Sequence, residues 1–212
     1  MTPKPIDELR RSWKRAWSGM GARGDGQPLF EQLVARYSEA HRKYHSLQHL
    51  SECIRVLEPA LHLASCPAEV ELALWFHDAI YEPQRSDNEE QSAAWARAAL
   101  LESGALSESA ERVQRLVLAT RHAALSNSPD EQLVVDVDLY ILGAPEERFA
   151  QYERQIREEY AFVPNWLFRR KRRAILRGFL ERPHIYSTQF FRAALEERAR
   201  ENLRGAVCPD DG

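Results

Sequence analysis

The chain has 212 residues, of which 44% are hydrophobic, and a formal net charge of -3. This length supplies one sizeable core and is short for two, so we expect one domain over residues 1–212. No apolar run has the length of a membrane span, and the net charge argues against a general affinity for nucleic acid. Without an apolar signal segment behind Met1, we predict a cytoplasmic protein.

The three cysteines follow neither a disulfide framework nor a CxxC metal motif. They are Cys53, Cys66 and Cys208, which are odd in number and widely spaced. We therefore expect reduced thiols with a structural role.

The N-terminal quarter predicts two helices. Apolar residues recur every three or four positions from Ile6 to Trp17, which is the period of an amphipathic helix. The glycine-rich stretch 19–26 ends this helix, and it lacks the Gly-Lys-Ser/Thr ending of a phosphate-binding loop. Pro28 then opens a second helix, which fades near His41.

His45 and His49 precede another apolar stripe at helical spacing. If one helix includes both, their side chains share a face and can converge on one ligand. If Ser46 is the N-cap, His45 lies just before the helix instead. The sequence alone supports either arrangement.

A helix that begins at Pro67 runs into His77-Asp78, two ionisable residues in an otherwise apolar run. Buried ionisable groups are costly unless they are paired, hydrogen-bonded or bound to a metal. Since Pro83 stops the helix soon afterwards, we expect the pair in its last turn. A helix C-terminus favours a nearby cation.

The middle of the chain continues in helices. An alanine-rich helix ends at Gly104, and the next one runs from Ser107 to about His122. A further apolar run, 133–143, contains Asp136 and Asp138. This run is too irregular for a strand, and we assign it to a helix.

The last third alternates aromatic and basic residues on three further helices. We therefore predict an all-α bundle of roughly nine or ten helices, with a core at about 28–143 and C-terminal helices over 145–204 packed on it. The basic run Phe168–Arg173 is typical of a solvated face or of a surface for an acidic partner. We consider nucleic acid a poor match for it, because the whole chain is acidic.

In order along the chain, His49, His77-Asp78 and Asp138 resemble the HD superfamily of metal-dependent phosphohydrolases. That family has a histidine, a later His-Asp pair and a distant aspartate. Further motifs resemble a poorly characterised bacterial branch of the family over about residues 6 to 204; they are Tyr44-His45, Tyr81, Asp87-Asn88-Glu89 with Ser92, Leu142-Gly143, and the tail from Ile185-Tyr186 to Asn202-Leu203.

The resemblance implies a divalent metal ion held by His49, His77, Asp78 and Asp138. Mixed nitrogen and oxygen ligands suit Mn²⁺, Fe²⁺, Co²⁺, Ni²⁺ or Zn²⁺, and Mg²⁺ is a further candidate. Asp136 competes with Asp138 for the last position, and we prefer Asp138 because the Leu-x-x-Leu-Gly that follows it matches the family better. The two aspartates are about 200° apart on a helix, so they do not serve one ion together.

The expected activity is hydrolysis of a nucleotide or another small phosphorylated metabolite. The alternative is a non-catalytic, regulatory HD module that binds a nucleotide. Candidate general bases are Glu82, Asp87 and Glu89. Candidate groups for the substrate phosphate are Lys43, His45, Arg85, Arg121 and His122, although for the two histidines a supporting role near the metal is our first choice. A homo-oligomer is compatible with this reading.

The spacing His45-x-x-x-His49 also resembles the zinc-protease motif HExxH. Ser46 stands where that motif needs its catalytic glutamate. We therefore set a metallopeptidase aside.

Overall fold

In the computed structural model the described residues are 5–122 and 126–208. Over these residues the chain forms ten α-helices and two short 3-10 helices, with no β-strand. The predicted all-α fold and its number of helices are confirmed. The chain divides into two compact units, residues 1–138 and 139–212. The predicted single-domain organisation stays a prediction.

The first unit contains seven α-helices and one 3-10 helix. Their bounds are α1 (Pro5–Gly19), α2 (Gln27–Tyr37), α3 (Leu47–Leu57), the 3-10 helix Glu58–Leu63, α4 (Pro67–Phe76), α5 (Asn88–Glu102), α6 (Ser107–Ala119) and α7 (Pro129–Asp138).

Helix α4 is the central element of this unit, with α1, α3, α5, α6 and α7 packed around it. Every residue from Glu69 to Phe76 is buried. A helix that is apolar all round is stable only when it is enclosed on all sides, which matches the run of apolar residues from Leu72 to Phe76. The His-Asp pair therefore follows directly after the most enclosed helix of the unit.

Two buried glutamates on α4 are neutralised by arginines from its neighbours. Arg15 of α1 donates two hydrogen bonds to Glu71, at 2.9 and 2.6 Å. Arg112 of α6 does the same to Glu69, at 2.7 and 2.6 Å. Such bidentate pairs fix the register of both neighbouring helices against α4.

Aromatic side chains fill the space between α1, α2 and α4. The Trp75 ring lies 5.3 Å from Trp13 and 5.6 Å from Phe30, centroid to centroid. The indole of Trp75 donates a hydrogen bond to the Ser12 hydroxyl at 3.0 Å. The amphipathic period of α1 therefore buries its aromatic stripe directly against the helix that leads to His77.

The second unit contains a 3-10 helix and three α-helices. Their bounds are Leu139–Gly143 for the 3-10 helix, α8 (Glu146–Glu159), α9 (Asn165–Leu180) and α10 (Gln189–Val207). Helix α10 packs on both the 3-10 helix and α9.

Within the second unit, α10 fixes the 3-10 helix that follows directly after Asp138. The Asn202 amide donates hydrogen bonds to the carbonyls of Leu142 and Ala144, at 2.8 and 2.9 Å. At Gly143 an added Cβ would lie 2.7 Å from the Leu195 Cβ, so a side chain does not fit there. The Leu-Gly step and Asn202 of the tail are thus explained by packing in this unit.

No described helix combines the length and the apolar character that crossing a membrane would require.

Candidate metal centre

The His-Asp pair lies just beyond α4, not in its last turn as the sequence led us to expect. The helix ends at Phe76, and His77 is its C-cap residue. The reason is a tight turn: the Ala79 amide donates a hydrogen bond to the Phe76 carbonyl at 3.0 Å, and His77 Nδ1 contacts the Leu74 carbonyl at 2.7 Å. These bonds capture helix-end carbonyls and turn both side chains toward α3.

His49 lies in the first turn of α3, with Ser46 as the N-cap residue. His45 therefore precedes the helix, and the second of the two arrangements open from the sequence is the observed one. The His45 ring stacks on Tyr81 at 4.0 Å and meets the His49 ring edge to face at 6.1 Å. It stands beside the candidate centre and does not share a helical face with His49.

Asp138 is the last residue of α7, at the point where the 3-10 helix begins. Its carboxylate, and not that of Asp136, reaches the two histidines. Asp136 is fully buried and two positions earlier on the same helix. The aspartate at the centre is therefore Asp138, the one that the sequence favoured.

The side chains of His49, His77, Asp78 and Asp138 converge on one point. The Nε2 atoms of the two histidines are 3.0 Å apart. His77 Nε2 lies 3.0 Å from Asp78 Oδ2 and 3.5 Å from Asp138 Oδ1. His49 Nε2 lies 3.5 Å from Asp78 Oδ2 and 3.2 Å from Asp138 Oδ1. Four residues separated by up to 89 positions thus present one nitrogen or oxygen each to a common centre.

Too few protons are available at this centre to join these atoms by hydrogen bonds. A carbonyl only accepts, so His77 Nδ1 donates to Leu74, and in the neutral ring Nε2 keeps a lone pair that faces the centre. Asp78 Oδ2 is buried and accepts no hydrogen bond of normal geometry, although His77 Nε2 is 3.0 Å away. Buried lone pairs that face one another fit a cation.

The pKa values of His77 and Asp78 reflect the same excess of hydrogen-bond acceptors. Burial opposes the charged form of His77, yet the negative charges of Asp78 and Asp138 raise the pKa of His77 well above its ordinary value. Burial would also raise the pKa of Asp78, but the charge of His77 lowers it below its ordinary value. A proton on His77 therefore partly offsets the two carboxylates when no metal ion does.

Cys53 is a fifth group near the centre, and its position in the sequence predicted only a structural role. Its thiol belongs, with His49, His77 and Asp138, to a set whose ligand atoms lie within 4.8 Å of one another. However, Cys53 Sγ is 3.6 Å from His49 Nδ1 and 3.7 Å from His49 Nε2, and nearly equal distances place it beside the ring, off the axis of the Nε2 lone pair.

The pKa of the Cys53 thiol also argues against Cys53 as a metal ligand. Burial, and after it the charges of Asp138 and Asp78, raise the pKa of the Cys53 thiol well above its ordinary value. We therefore favour Asp78 over Cys53 as the fourth ligand. The spacing of four residues between His49 and Cys53 was the sequence signal for this contact.

His122 holds the other oxygen of Asp138. Its Nε2 lies 3.0 Å from Asp138 Oδ2, while Asp138 Oδ1 faces the two histidines. Burial opposes the charge on Asp138, but the hydrogen bond from His122 contributes most to lowering the pKa of Asp138 well below its ordinary value. His122 has a positive φ of 54°. This placement suits a residue that orients a metal ligand.

Arg42, which no sequence pattern had indicated, fixes the backbone around the centre. Its side chain is fully buried, and its guanidinium donates to the carbonyls of His45, Asp78 and Ala79. The guanidinium also pairs with Glu39 at 3.1 Å. One planar group therefore ties the turn before α3 to the turn after α4.

Two side chains of α5 hold the segment that follows the His-Asp pair. The Ser92 hydroxyl accepts a hydrogen bond from the Ile80 amide at 3.0 Å and donates to the Ile80 carbonyl at 3.3 Å. The Asn88 amide group likewise accepts from the Glu82 amide at 3.1 Å and donates to the Glu82 carbonyl at 3.0 Å. We call this arrangement the α5 clasp. The clasp gives a structural role to Asn88 and Ser92, two residues of the pattern that resembles the HD superfamily.

The candidate bases that follow the His-Asp pair differ in their hydrogen bonds and in their exposure to solvent. Asp87 accepts hydrogen bonds from Arg85 at 2.8 and 2.7 Å and from Gln91 at 2.7 Å, and these bonds lower the pKa of Asp87 to about 2. A carboxylate with so low a pKa is a weak proton acceptor at neutral pH. Glu82 is exposed and Glu89 is half-buried, so both keep access to solvent.

The candidate phosphate groups are mostly bound to other partners. Arg85 is committed to Asp87, and Arg121 pairs with Glu90 at 2.7 Å. The exposed Lys43 donates a hydrogen bond to the Ala40 carbonyl at 2.8 Å. The two histidines are the candidates whose rings lie against a converging residue, because His45 contacts His49 and His122 contacts Asp138.

The centre is closed on one side and open on the other. The side chains of His49 and His77 are 0% and 1% exposed, whereas those of Asp78 and Asp138 are 17% and 15% exposed. A small anion would therefore approach past the carboxylates, with the imidazoles behind them.

Comparisons with known proteins add no identification. No family model matches the chain, and neither the curated proteins nor the solved structures give a match. The resemblance to the HD superfamily therefore rests on the ordered residues and on their convergence.

Proposed function

We propose that the protein is a metal-dependent phosphohydrolase that acts on a nucleotide or another small phosphorylated metabolite. The observation that carries this proposal is the convergence of His49, His77, Asp78 and Asp138 with one buried oxygen left without a hydrogen-bond donor. Two nitrogen and two oxygen ligands would leave positions of a six-coordinate ion open for water and substrate. The proposed cytoplasmic location follows from the sequence only.

The residues around the centre would divide the work as follows. His49 and His77 would bind the ion from the buried side, and Asp78 and Asp138 from the exposed side. His122 would keep Asp138 oriented, as a hydrogen bond from the second layer commonly does. A bound divalent ion would polarise a phosphoryl oxygen and lower the pKa of a coordinated water.

His45 would contact the substrate phosphate at the open side, because its half-buried ring lies next to His49. Proton transfer would fall to Glu82 or Glu89, which keep access to solvent while Asp87 is bound to Arg85. The nucleotide as substrate is carried by the family resemblance alone.

The test begins with metal analysis of the purified protein. After removal of metal with a chelator, phosphate and pyrophosphate release should be measured with nucleotides and simple phosphate esters, with Mn²⁺, Co²⁺, Ni²⁺, Zn²⁺ or Mg²⁺ added back. We expect about one metal ion per chain and activity only with metal. No metal and no phosphate release under any condition would contradict the proposal.

Asp136→Asn is a matched control for Asp138→Asn, because both aspartates lie in the last turn of α7 and are largely enclosed. Only the Asp138 variant should lose metal and activity. The reverse result would move the ligand to Asp136. A wild-type protein that binds metal and nucleotide but releases no phosphate would support the regulatory binding module instead.

A further inference from the structure

Helix α9 presents an arginine-rich face that its own unit does not cover. Leu176 is the only fully buried residue of this 16-residue helix. Trp166 is 68% exposed, and four arginines beside it are also exposed. We call these five residues the α9 arginine face: Trp166, Arg169, Arg170, Arg173 and Arg177.

Four of the five members of the face follow one line along the helix. Positions 166, 170, 173 and 177 recur at spacings of four, three and four, so they stay within about 60° of one another around the axis. Over these twelve residues the line extends about 16 Å. A shallow depression lies among the projecting side chains and reaches Asn165 and Ala174.

Positive charge on this face is not neutralised within the described part of the chain. Helix α9 has five arginines and one lysine and contains no acidic residue. Arg172, on another side of the helix, pairs with Glu153. The four arginines of the face form no ion pair with any described residue. Because salt screens charges beyond about 10 Å, this local excess matters more to a ligand than the net charge of -3.

We propose that the α9 arginine face binds single-stranded nucleic acid. Arginines at successive helical turns offer planar, multidentate donors to consecutive phosphates of a flexible strand. The exposed indole of Trp166 offers a platform for an unpaired base, and only single strands present bases for stacking. This inference is independent of the metal centre.

The exposed indole separates this ligand from the other polyanions. An acidic peptide would use the arginines but gives no reason for an exposed tryptophan in line with them. A membrane-binding helix needs an apolar stripe, whereas the exposed Ile175 lies about 180° from Trp166 around the helix axis. The local geometry therefore changes the interpretation that the overall charge suggested from the sequence.

The first test measures binding of a fluorescein-labelled 12-nucleotide poly-U or poly-dT strand to the full chain by fluorescence anisotropy, with chelator present to prevent hydrolysis. We expect affinity to fall with salt with a log–log slope of about -3 for four phosphate contacts. In the double variant Arg170→Gln/Arg173→Gln the slope should shrink by about 1.4. Absence of binding at low salt would overturn the proposal.

Arg11→Gln/Lys14→Gln is the matched control. It removes the same charge from exposed positions on α1. Unchanged binding in this control, with weakened binding in the α9 variant, supports the face. Equal weakening in both variants would show a general charge effect and overturn the proposal.

The second test addresses stacking. Trp166→Ala should weaken binding of the strand about tenfold and remove the quenching of tryptophan fluorescence by bound nucleic acid. Phe162→Ala, which also removes an exposed aromatic ring, should change neither. Polyglutamate or phosphatidylserine vesicles that bind as tightly as the strand, together with unchanged strand binding in Trp166→Ala, would identify a different polyanion and overturn the proposal.

Discussion

The two ends of helix α4 treat their buried carboxylates in opposite ways. Near the start, Glu69 and Glu71 each accept two hydrogen bonds from an arginine that α6 or α1 supplies. Just past the end, the backbone of Asp78 is held by Arg42 and Tyr37, but its Oδ2 atom accepts no hydrogen bond. The same unit therefore neutralises Glu69 and Glu71 with arginines, whereas only a proton on His77 partly offsets the charge of Asp78.

The comparison shows what separates a structural from a functional buried charge. A buried carboxylate without a donor destabilises the fold. Arginines are present nearby, yet Arg42 binds the Asp78 carbonyl and leaves the carboxylate alone. The carboxylate of Asp78 is therefore available to a metal ion of the kind proposed above, which the two imidazoles would also contact.

The largest effect is expected for Asp78→Asn, which keeps the shape and removes the charge. Metal affinity should fall by more than about a hundredfold, beyond the usual loss for residues that only support a ligand. Without metal the variant should be less stable than the wild type at neutral pH, since the ion pair between Asp78 and protonated His77 is gone. Calorimetric metal titration and thermal unfolding with chelator test both. Full metal affinity in the variant would show that Asp78 is not a metal ligand and that it does not differ in role from Glu69 and Glu71.

Arg42→Lys should act next most strongly. An ammonium cannot reproduce the fork that reaches the carbonyls of His45, Asp78 and Ala79. We expect metal affinity to fall about 10- to 100-fold, as for other supporting residues. Arg36→Lys is the control, because Arg36 pairs with the neighbouring Glu39 at an exposed position. An equal effect of both variants would exclude a specific role for Arg42.

Glu71→Gln should change stability and leave the metal centre intact. The variant breaks a pair in which Glu71 is buried and Arg15 is 43% exposed, so part of the loss is recovered by hydration of Arg15. We expect a loss of about 1–2 kcal/mol in the free energy of unfolding. Chemical denaturation measures this loss. A variant of normal stability with weakened metal binding would contradict this prediction, because it would give Glu71 a role in metal binding and none in stability.

The smallest effect concerns pH. The raised pKa of His77 means that the metal-free fold binds this proton more tightly than the unfolded chain does. The resulting stabilisation is complete below the unfolded pKa of about 6.5 and is lost as pH rises through the raised folded pKa. Metal binding requires neutral His77, so metal affinity should rise over the same window.

Thermal unfolding between pH 6 and 9, with chelator and with saturating Mn²⁺, tests this difference. The melting temperature of the metal-free protein should fall, and the gap to the loaded protein should widen. Parallel curves would argue against a proton and a metal ion that compete for His77.

Helical periodicity was sufficient to predict the all-α fold, because most helices bury one regular apolar stripe. The ends of helices were harder: α4 stops at Phe76 because local hydrogen bonds at Leu74 and Ala79 compete with the helix. For α3 the sequence left two starts open, and the helix begins directly after Ser46.

The residues that converge at the centre could be found from their order along the chain, but those that hold them could not. Arg42 lies in a turn where no periodicity exists, and its three carbonyl partners come together only in the tertiary structure. Trp166 likewise is a residue type that is usually well buried, and only the tertiary structure shows that it is 68% exposed. Side-chain burial is a property of the whole fold and not of local sequence.

The α5 clasp has a consequence for how this chain can vary in length. Because Asn88 bonds both backbone groups of Glu82, residues 83–87 form a small, largely exposed loop whose two ends are already joined. Doubling such a loop costs only about 0.6 kcal/mol in closure entropy. Insertions, affinity tags or reporter peptides placed between Pro83 and Asp87 should therefore leave the position of Asp78 unchanged.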